Sequence, residues 1–120
     1  MFRFEKLEVW HVAVALADRV YHITKSFPTD ERFGLTNQLR RAAVSISSNI
    51  AEGSGRVSDK DFSRFIEISY GSLMEIISQL AIAHRQQFLA KESYELIYSE
   101  SEELARMLSG LRSKLLQSNA

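Results

Sequence analysis

The chain has 120 residues, of which 45% are apolar, with one proline, five glycines and no cysteine. This length is typical of one domain, residues 1–120, and the apolar content excludes a disordered chain. The absence of cysteine excludes disulfides, thiolate catalysis and cysteine-ligated zinc. Basic and acidic residues both number 15. A dedicated DNA-binding protein usually has a clear basic excess, so any nucleic-acid surface must be a local patch.

The sequence contains no apolar stretch of about 18 residues, so we expect no membrane-spanning segment. Residues 1–6 lack the apolar run of a secretory signal. We therefore expect a cytoplasmic protein. An all-β fold needs many turns, and this chain has few of the glycines and prolines that form them.

The first predicted helix, residues 7–26, has a seam of residues at steps of three and four: Leu7, Trp10, Val14, Ala17, Tyr21 and Thr24. Pro28 ends it, because the residue before a proline is pushed out of helical geometry. Thr29 or Asp30 is predicted to cap the second helix, and Gly53 and Gly55 to end it. The predicted core face of the second helix is Leu35, Leu39, Ala42, Ala43, Ile46 and Ile50.

Ser58 is predicted to cap the third helix, which extends to about Gln87. Its predicted core face is Phe62, Phe65, Ile66, Ser69, Leu73, Ile76, Ile77 and Leu80. The fourth helix, residues 91–116, has the most regular seam: Tyr94, Ile97, Ser101, Leu104, Leu108, Leu111 and Leu115. Such a repeat is typical of helices that cross at about 20° in a left-handed bundle. Because the connections are short, we predict an all-α, up-down-up-down antiparallel four-helix bundle.

Further apolar residues lie outside these seams. They are Val9, Val12, Leu16 and Ile23 in the first helix, and Ile68 and Ile82 in the third. A surface helix needs one apolar stripe, and a second stripe must be covered. The second stripe indicates either a wide core face on a central helix or a subunit interface, and the interface reading includes all six residues.

No motif for catalysis or for a cofactor is present. His11 and His22 are about 16 Å apart along one helix, which is too far to share a metal ion. Neither HExxH nor a pair of Glu-x-x-His motifs of the di-iron bundle type occurs. Gly53-Ser54-Gly55-Arg56 lacks the spacing of a phosphate-binding loop, and a helix–helix connection is the better interpretation. We predict no catalytic residue, metal or cofactor, and hence no enzyme.

A polar stripe follows the second helix. It includes Gln38, Ser45, Asn49 and Glu52, with Glu75 of the third helix as a possible partner. The stripe predicts either a hydrogen-bond network that fixes the packing of the second and third helices or a contact with a ligand.

Basic residues surround the second helix and the connection that follows it. The basic candidates for phosphate contact are Arg32, Arg40, Arg41, Arg56, Lys60 and Arg64, and the alternative is ordinary solvated charge. Arg40 and Arg41 point about 100° apart, so at least one of them must reach solvent or an oligomer surface. No aromatic residue lies near them in sequence, so this segment is not expected to stack on bases.

A resemblance covers nearly the whole chain. The block that carries it is Phe27-Pro28-x-x-Glu31-x-x-Gly34-Leu35-x-x-Gln38-Leu39-Arg40-Arg41-Ala42-Ala43-x-Ser45-Ile46-x-x-Asn49-Ile50-Ala51-Glu52-Gly53. The block resembles the four-helix bundle family encoded within intervening sequences of bacterial large-subunit ribosomal RNA genes. Phe4-x-x-Leu7-x-x-Trp10 and Phe65-x-x-x-x-Tyr70-Gly71-Ser72-x-x-Glu75 fit the same family.

The resemblance implies a homopentamer with no enzymatic activity. The family is also similar to the accessory variability protein of diversity-generating retroelements, a basic pentamer thought to bind nucleic acid and reverse transcriptase. By resemblance, Arg40 and Arg41 occupy the paired-arginine positions of the family, and Asn49 and Glu52 belong to its Asn-Ile-Ala-Glu-Gly motif. We therefore expect an oligomeric accessory protein associated with RNA or DNA. The alternative is a protein-interaction scaffold with no nucleic-acid role.

Overall fold

The computed structural model describes residues 1–118, so the last two residues of the predicted domain lie outside it. Over that range the chain forms four α-helices and no strand: α1 (Glu8–Thr24), α2 (Leu35–Ser54), α3 (Asp59–Arg85) and α4 (Lys91–Gln117). Short 3-10 turns at Arg3–Lys6 and Thr29–Glu31 precede α1 and α2. Each helix packs on its neighbours in the chain, and α1 packs on α4. The predicted up-down bundle is confirmed, with extents of 47 × 22 × 21 Å.

The predicted core faces of α2, α3 and α4 are confirmed. All six residues predicted for α2 are buried, as are most of those predicted for α3 and α4. The largest fully buried side chains of these helices are Leu39, Ile46, Ile50, Phe62, Ile66, Leu73, Ile76, Leu80, Ile97, Leu104 and Leu108. The buried side chains form one continuous core. Burial of each contributes about 1.5–3 kcal/mol, and together they hold the helices in place.

The predicted core face of α1 was wrong, because the buried stripe is shifted by one residue. Its buried apolar residues are Val9, Ala13, Leu16, Val20 and Ile23, whereas Tyr21 of the predicted seam is 42% exposed. The two stripes are one residue apart, which is a rotation of about 100° around the helix. Because α1 packs on both α2 and α4, it buries a wide face, and residues of both stripes contribute to it.

This burial corrects the interface prediction for the first helix. Val9, Leu16 and Ile23 belong to the core of their own subunit, and Val12 packs against that core. A charge at Leu16 is therefore expected to unfold the bundle rather than to separate subunits. Ile68 and Ile82 of α3, in contrast, are about half exposed.

The start of α3 follows the prediction, but that of α2 does not. Ser58 caps α3, since its hydroxyl accepts a hydrogen bond from the Asp61 amide at 3.1 Å. Thr29 and Asp30 form a 3-10 turn, and α2 begins only at Leu35. There the carboxylate of Glu31 accepts a hydrogen bond from the Leu35 amide at 3.2 Å. A negative charge at this helix end is favourable, because the helix dipole places partial positive charge there.

Of the two glycines predicted to end α2, Gly55 is its C-cap residue, whereas Gly53 lies inside the helix, which extends to Ser54. Within the described residues no glycine has a positive φ, so the predicted left-handed glycine cap is absent. A Cβ at Gly53 would lie 2.6 Å from Cβ of Phe65 and 2.8 Å from Cδ1 of Phe62. The glycine therefore permits a close approach of α2 and α3.

The connection between α3 and α4 contains the left-handed residue. Gln87 has a φ of 66°. Its amide donates to the His84 carbonyl at 3.0 Å, and the Phe88 amide donates to the Ala83 carbonyl at 2.9 Å. This pair of bonds is a Schellman motif, which usually has glycine at the left-handed position.

By length and composition α3 could cross a membrane, with a mean hydropathy of 1.2 over its most apolar window. A core helix of a bundle passes the same test. The inner face of α3 packs on α2 and α4, and its exposed side carries Arg64, Glu67 and Glu75. The packing and these charges favour the core-helix interpretation.

Candidate functional site

The basic candidates form two separate clusters. Arg40 and Arg41 lie in the first half of α2, whereas Arg56, Lys60 and Arg64 surround the connection from α2 to α3. From Arg40 to the end of α2 at Ser54 the helix extends about 21 Å. The two clusters are therefore considered in turn.

The connector cluster consists of Arg56, Lys60 and Arg64. Nη2 of Arg56 is 3.5 Å from Glu52 and its Nε is 3.9 Å from Asp61. Its guanidinium also lies 4.6 Å from the centre of the Phe65 ring. Two carboxylates thus compensate the charge of Arg56, so the attraction of this cluster for an anion is weakened.

Two adjoining depressions that share Arg40 hold the second cluster. Together we call them the α1–α2 groove, and the residues that line it are Tyr21, Thr24, Lys25, Phe27, Pro28, Thr29, Arg32, Thr36, Asn37, Arg40, Arg41, Val44 and Ser45. Four of these are cations and none is a carboxylate. Within residues 1–118 none of the four cations forms an ion pair with Asp or Glu. The nearby carboxylate of Glu31 is directed to the start of α2.

Arg40 is held in a fixed position in this groove. Its Nε donates to Oγ1 of buried Thr24 at 2.9 Å, and that hydroxyl donates to the Val20 carbonyl at 2.7 Å. The guanidinium lies 4.7 Å from the centre of the Tyr21 ring. Among the described residues, both Nη atoms lack a hydrogen-bond partner. They form the edge of a guanidinium that can bind a phosphate through two parallel hydrogen bonds.

Arg41, one residue further, is exposed to solvent. The prediction that at least one of the pair reaches solvent is therefore confirmed. Arg40 itself is only partly buried, so both guanidinium groups are accessible to a ligand from the groove.

No aromatic residue lies near these arginines in sequence, but the fold brings one to them from α1. Tyr21 contacts Arg40 across the two helices. Arg32 also lines the groove, and its guanidinium lies 5.4 Å from the centre of the Phe33 ring, whose residue is 85% exposed. Sequence reasoning missed Tyr21 because it was assigned to the α1 core seam, and it missed Lys25 and Phe33 because they flank the turn at Pro28.

The polar stripe of α2 lies mainly along its interface with α3. The hydroxyls of Ser45 and Ser72 are 3.0 Å apart. Asn49 donates to the Ser45 carbonyl at 2.8 Å and to the Ser45 hydroxyl at 3.0 Å. Buried Ser69 donates to the Ile46 carbonyl at 2.8 Å. The Ser45–Ser72 and Ser69–Ile46 bonds join the two helices, as the network interpretation predicts, and Asn49 orients Ser45 within α2.

Gln79 extends the network toward the start of α2. Its Nε2 donates to Gln38 at 3.1 Å and to Glu75 at 3.4 Å. Over the described range, its buried Oε1 has no hydrogen-bond partner. Glu52 lies outside the network, since it is exposed and pairs with Arg56. Gln79 could not be identified from the sequence, because its hydrogen bond to Gln38 depends on how α3 packs against α2.

The outer face of α3 carries the two remaining interface candidates. Ile68 is 51% exposed and Ile82 is 50% exposed. Gly71, Glu75 and Ser78 lie between them at steps of three and four, on the same exposed side of the helix. Two isoleucines on a solvent-facing stripe are more apolar surface than this helix needs for its own bundle.

The histidines have contacts of their own. Nε2 of His11 is 2.7 Å from the Glu5 carbonyl oxygen, and the His84 ring stacks on Tyr94 with centres 4.5 Å apart. In the part of the chain that the structure describes, no three His, Asp or Glu side chains are grouped to hold a metal ion. That the protein acts without metal or cofactor stays a prediction.

Comparisons with known proteins place this geometry in a family. A protein of unknown function from the S23 ribosomal protein family of Bacteroides thetaiotaomicron has a similar structure, with a TM-score of 0.78 at 24% identity. The match covers 87% of this chain and 97% of that one, and it supports the fold alone. A search of curated sequences found no match. The family model of the 23S rRNA-intervening sequence proteins matches residues 5–110. The chain belongs to the 23S rRNA-intervening sequence protein family.

Proposed function

We propose that this protein is a non-enzymatic, self-associating accessory protein that binds RNA or DNA in the cytoplasm. The observation that carries the proposal is the α1–α2 groove. Its cations Lys25, Arg32, Arg40 and Arg41 have no Asp or Glu partner within residues 1–118, and no carboxylate lines the groove. Phosphate groups are the natural complement of such a surface.

Binding through this groove must be local and electrostatic. The chain has no net charge, so it exerts little long-range attraction on a polyanion. The four cations act at short range, where neutralised phosphates release their counterions. The contact is therefore weak for one subunit and insensitive to sequence. An oligomer would repeat the groove by symmetry, and the repeated contacts would raise the overall affinity.

Self-association is supported by the outer face of α3. Ile68 and Ile82 are each about half exposed, and Gly71 between them would let another helix approach closely. We propose that this face packs against another copy of the chain. The number of five subunits is implied by the family resemblance.

The test of nucleic-acid binding is the salt dependence of affinity. For the wild type we expect log affinity to fall linearly with log salt. The double variant Arg40→Ala/Arg41→Ala should bind more weakly and flatten that slope by up to about two units. The matched control is Arg56→Ala/Arg64→Ala in the connector cluster, which removes the same charge and should change the slope less.

Two results would contradict the proposal. If the wild type binds neither RNA nor DNA at about 50 mM salt, the scaffold alternative replaces it. If only the connector variant loses affinity, the binding surface lies at the connection from α2 to α3. The scaffold alternative rests on the same α3 face, since Ile68 and Ile82 would then contact a different protein.

A further inference from the structure

We infer that the α1–α2 groove binds single-stranded nucleic acid, with unpaired bases stacked at Tyr21 and Phe33. The inference rests on the proposed function and adds the class of nucleic acid to it. It starts from two aromatic–arginine pairs whose cations line the groove, Tyr21 with Arg40 and Phe33 with Arg32.

Phe33 is the first observation. It follows the Thr29–Glu31 turn, two residues before α2 begins, and its ring is 85% exposed. Burying an aromatic side chain is strongly favourable, so a ring left in water on a well-defined turn indicates a surface that is covered in a complex. The cation that lies over this ring, Arg32, also lines the groove.

Tyr21 is the second observation, since it is also a partly exposed ring beside an arginine of the groove, Arg40. Its ring is 42% exposed, and the guanidinium beside it is held by Thr24 with both Nη atoms unpaired over the described range. A base that stacks next to either ring therefore has a cation adjacent to it for its own phosphate. Because Arg40 is already fixed, little side-chain freedom is lost when it binds a phosphate.

This combination favours unpaired over paired nucleic acid. Surfaces that bind single strands combine a basic groove with aromatic rings on which successive bases stack. In a duplex the bases are already stacked and paired inside, so the two rings cannot reach their faces and only the cations would act. An acidic peptide could also satisfy the cations, but it would leave both aromatic rings exposed. The two rings therefore select the single strand.

The experiment measures binding of the full chain to a fluorescein-labelled uridine oligonucleotide of about 12 residues, by fluorescence anisotropy. A base-paired RNA duplex of equal length serves as the second probe. We expect the single strand to bind about tenfold or more tightly than the duplex. Tyr21→Leu and Phe33→Leu should each weaken single-strand binding about 5- to 100-fold, while duplex binding and the salt slope stay unchanged.

Two aromatic residues outside the groove provide matched controls. Tyr98→Leu removes a ring of α4 that is 41% exposed, and Phe2→Leu removes a ring that is 74% exposed. Both control variants should bind the oligonucleotide as the wild type does. A deoxyuridine oligonucleotide should bind within about threefold of the RNA strand, since stacking and phosphate contacts do not involve the 2′-hydroxyl.

The outcomes separate this inference from the proposed function. If the duplex binds as tightly as the single strand and the aromatic variants bind normally, while Arg40→Ala/Arg41→Ala weakens both, the inference fails and the proposed function stands. If no probe binds, both fail. Tight binding of a glutamate peptide of equal charge, unaffected by Tyr21→Leu and Phe33→Leu, would also overturn the inference.

Discussion

Gly53 sets the distance between α2 and α3 through the methyl group that it lacks. A Cβ there would lie within 3.0 Å of atoms of both Phe62 and Phe65, which are fixed side chains of the core edge. Alanine is the better helix former, by about 1 kcal/mol in a helix interior. The overlap with two aromatic residues outweighs that gain.

We therefore predict that Gly53→Ala lowers the free energy of unfolding by about 1–3 kcal/mol, because α2 and α3 must move apart to accommodate the methyl group. Urea denaturation measures the change. Gly110→Ala in α4 is the matched control. Within the described part of the chain, no atom outside its own helix backbone and chain neighbours lies within 4 Å of a Cβ at Gly110, so this variant should be stabilised by up to about 1 kcal/mol. Equal effects of the two substitutions would show that the missing Cβ of Gly53 does not set the spacing of α2 and α3.

Among the elements, the turn from α3 to α4 stores local strain. Gln87 adopts a left-handed conformation that costs a residue with a side chain about 1–2 kcal/mol, and the two hydrogen bonds of the Schellman motif hold it there. Phe88 and Leu89 follow it and pack into the bundle, with the Phe88 ring 5.8 Å from the ring of Phe27. The position of this turn is therefore fixed by packing as well as by its backbone.

Gln87→Gly should raise the free energy of unfolding by about 0.5–1 kcal/mol, since glycine adopts the left-handed conformation without the steric cost. The neighbouring variant Gln86→Gly has the opposite expectation. Gln86 has a φ of −80°, so glycine brings only extra freedom in the unfolded chain and should destabilise the protein by about 0.5–1 kcal/mol. Thermal unfolding of the two variants, measured in parallel, shows whether each substitution raises or lowers the stability.

The helices also differ in how well their buried faces could be predicted from the sequence. The helices α2, α3 and α4 each have one dominant apolar stripe, and their faces could be predicted from its period. In α1 two stripes are adjacent and both contribute to the core, so periodicity cannot choose between them. The paired arginines of α2 were found because they are adjacent in sequence. Tyr21 and Gln79 could not be found in this way, because their partners come from another helix.

At the scale of the whole molecule, self-association through α3 is the prediction to test. Ile68→Glu/Ile82→Glu places two charges on the exposed α3 face and should dissociate the oligomer, since a charge in an apolar contact is costly. The subunit should stay folded, because both side chains are already about half exposed. Light scattering gives the mass, and circular dichroism checks the helix content.

Leu96→Glu provides the control, since Leu96 belongs to α4 and is 49% exposed, as Ile68 and Ile82 are. This variant should keep the mass of the wild type. A wild type that is monomeric at micromolar concentration, or a double variant that keeps its mass, would exclude α3 as the subunit contact.

The antiparallel order of the helices has a consequence for folding kinetics. Most helix pairs are neighbours in the chain, so they can dock with little loss of loop entropy, and a topology of this kind folds in about a millisecond or less. The packing of α1 on α4 is different, because it joins segments as far apart as Arg19 and Glu100, which form a hydrogen bond of 2.9 Å across 81 positions. We expect this contact to form after the rate-limiting step. The lifetime of the folded subunit, more than its speed of folding, would then depend on the seam between its first and last helices.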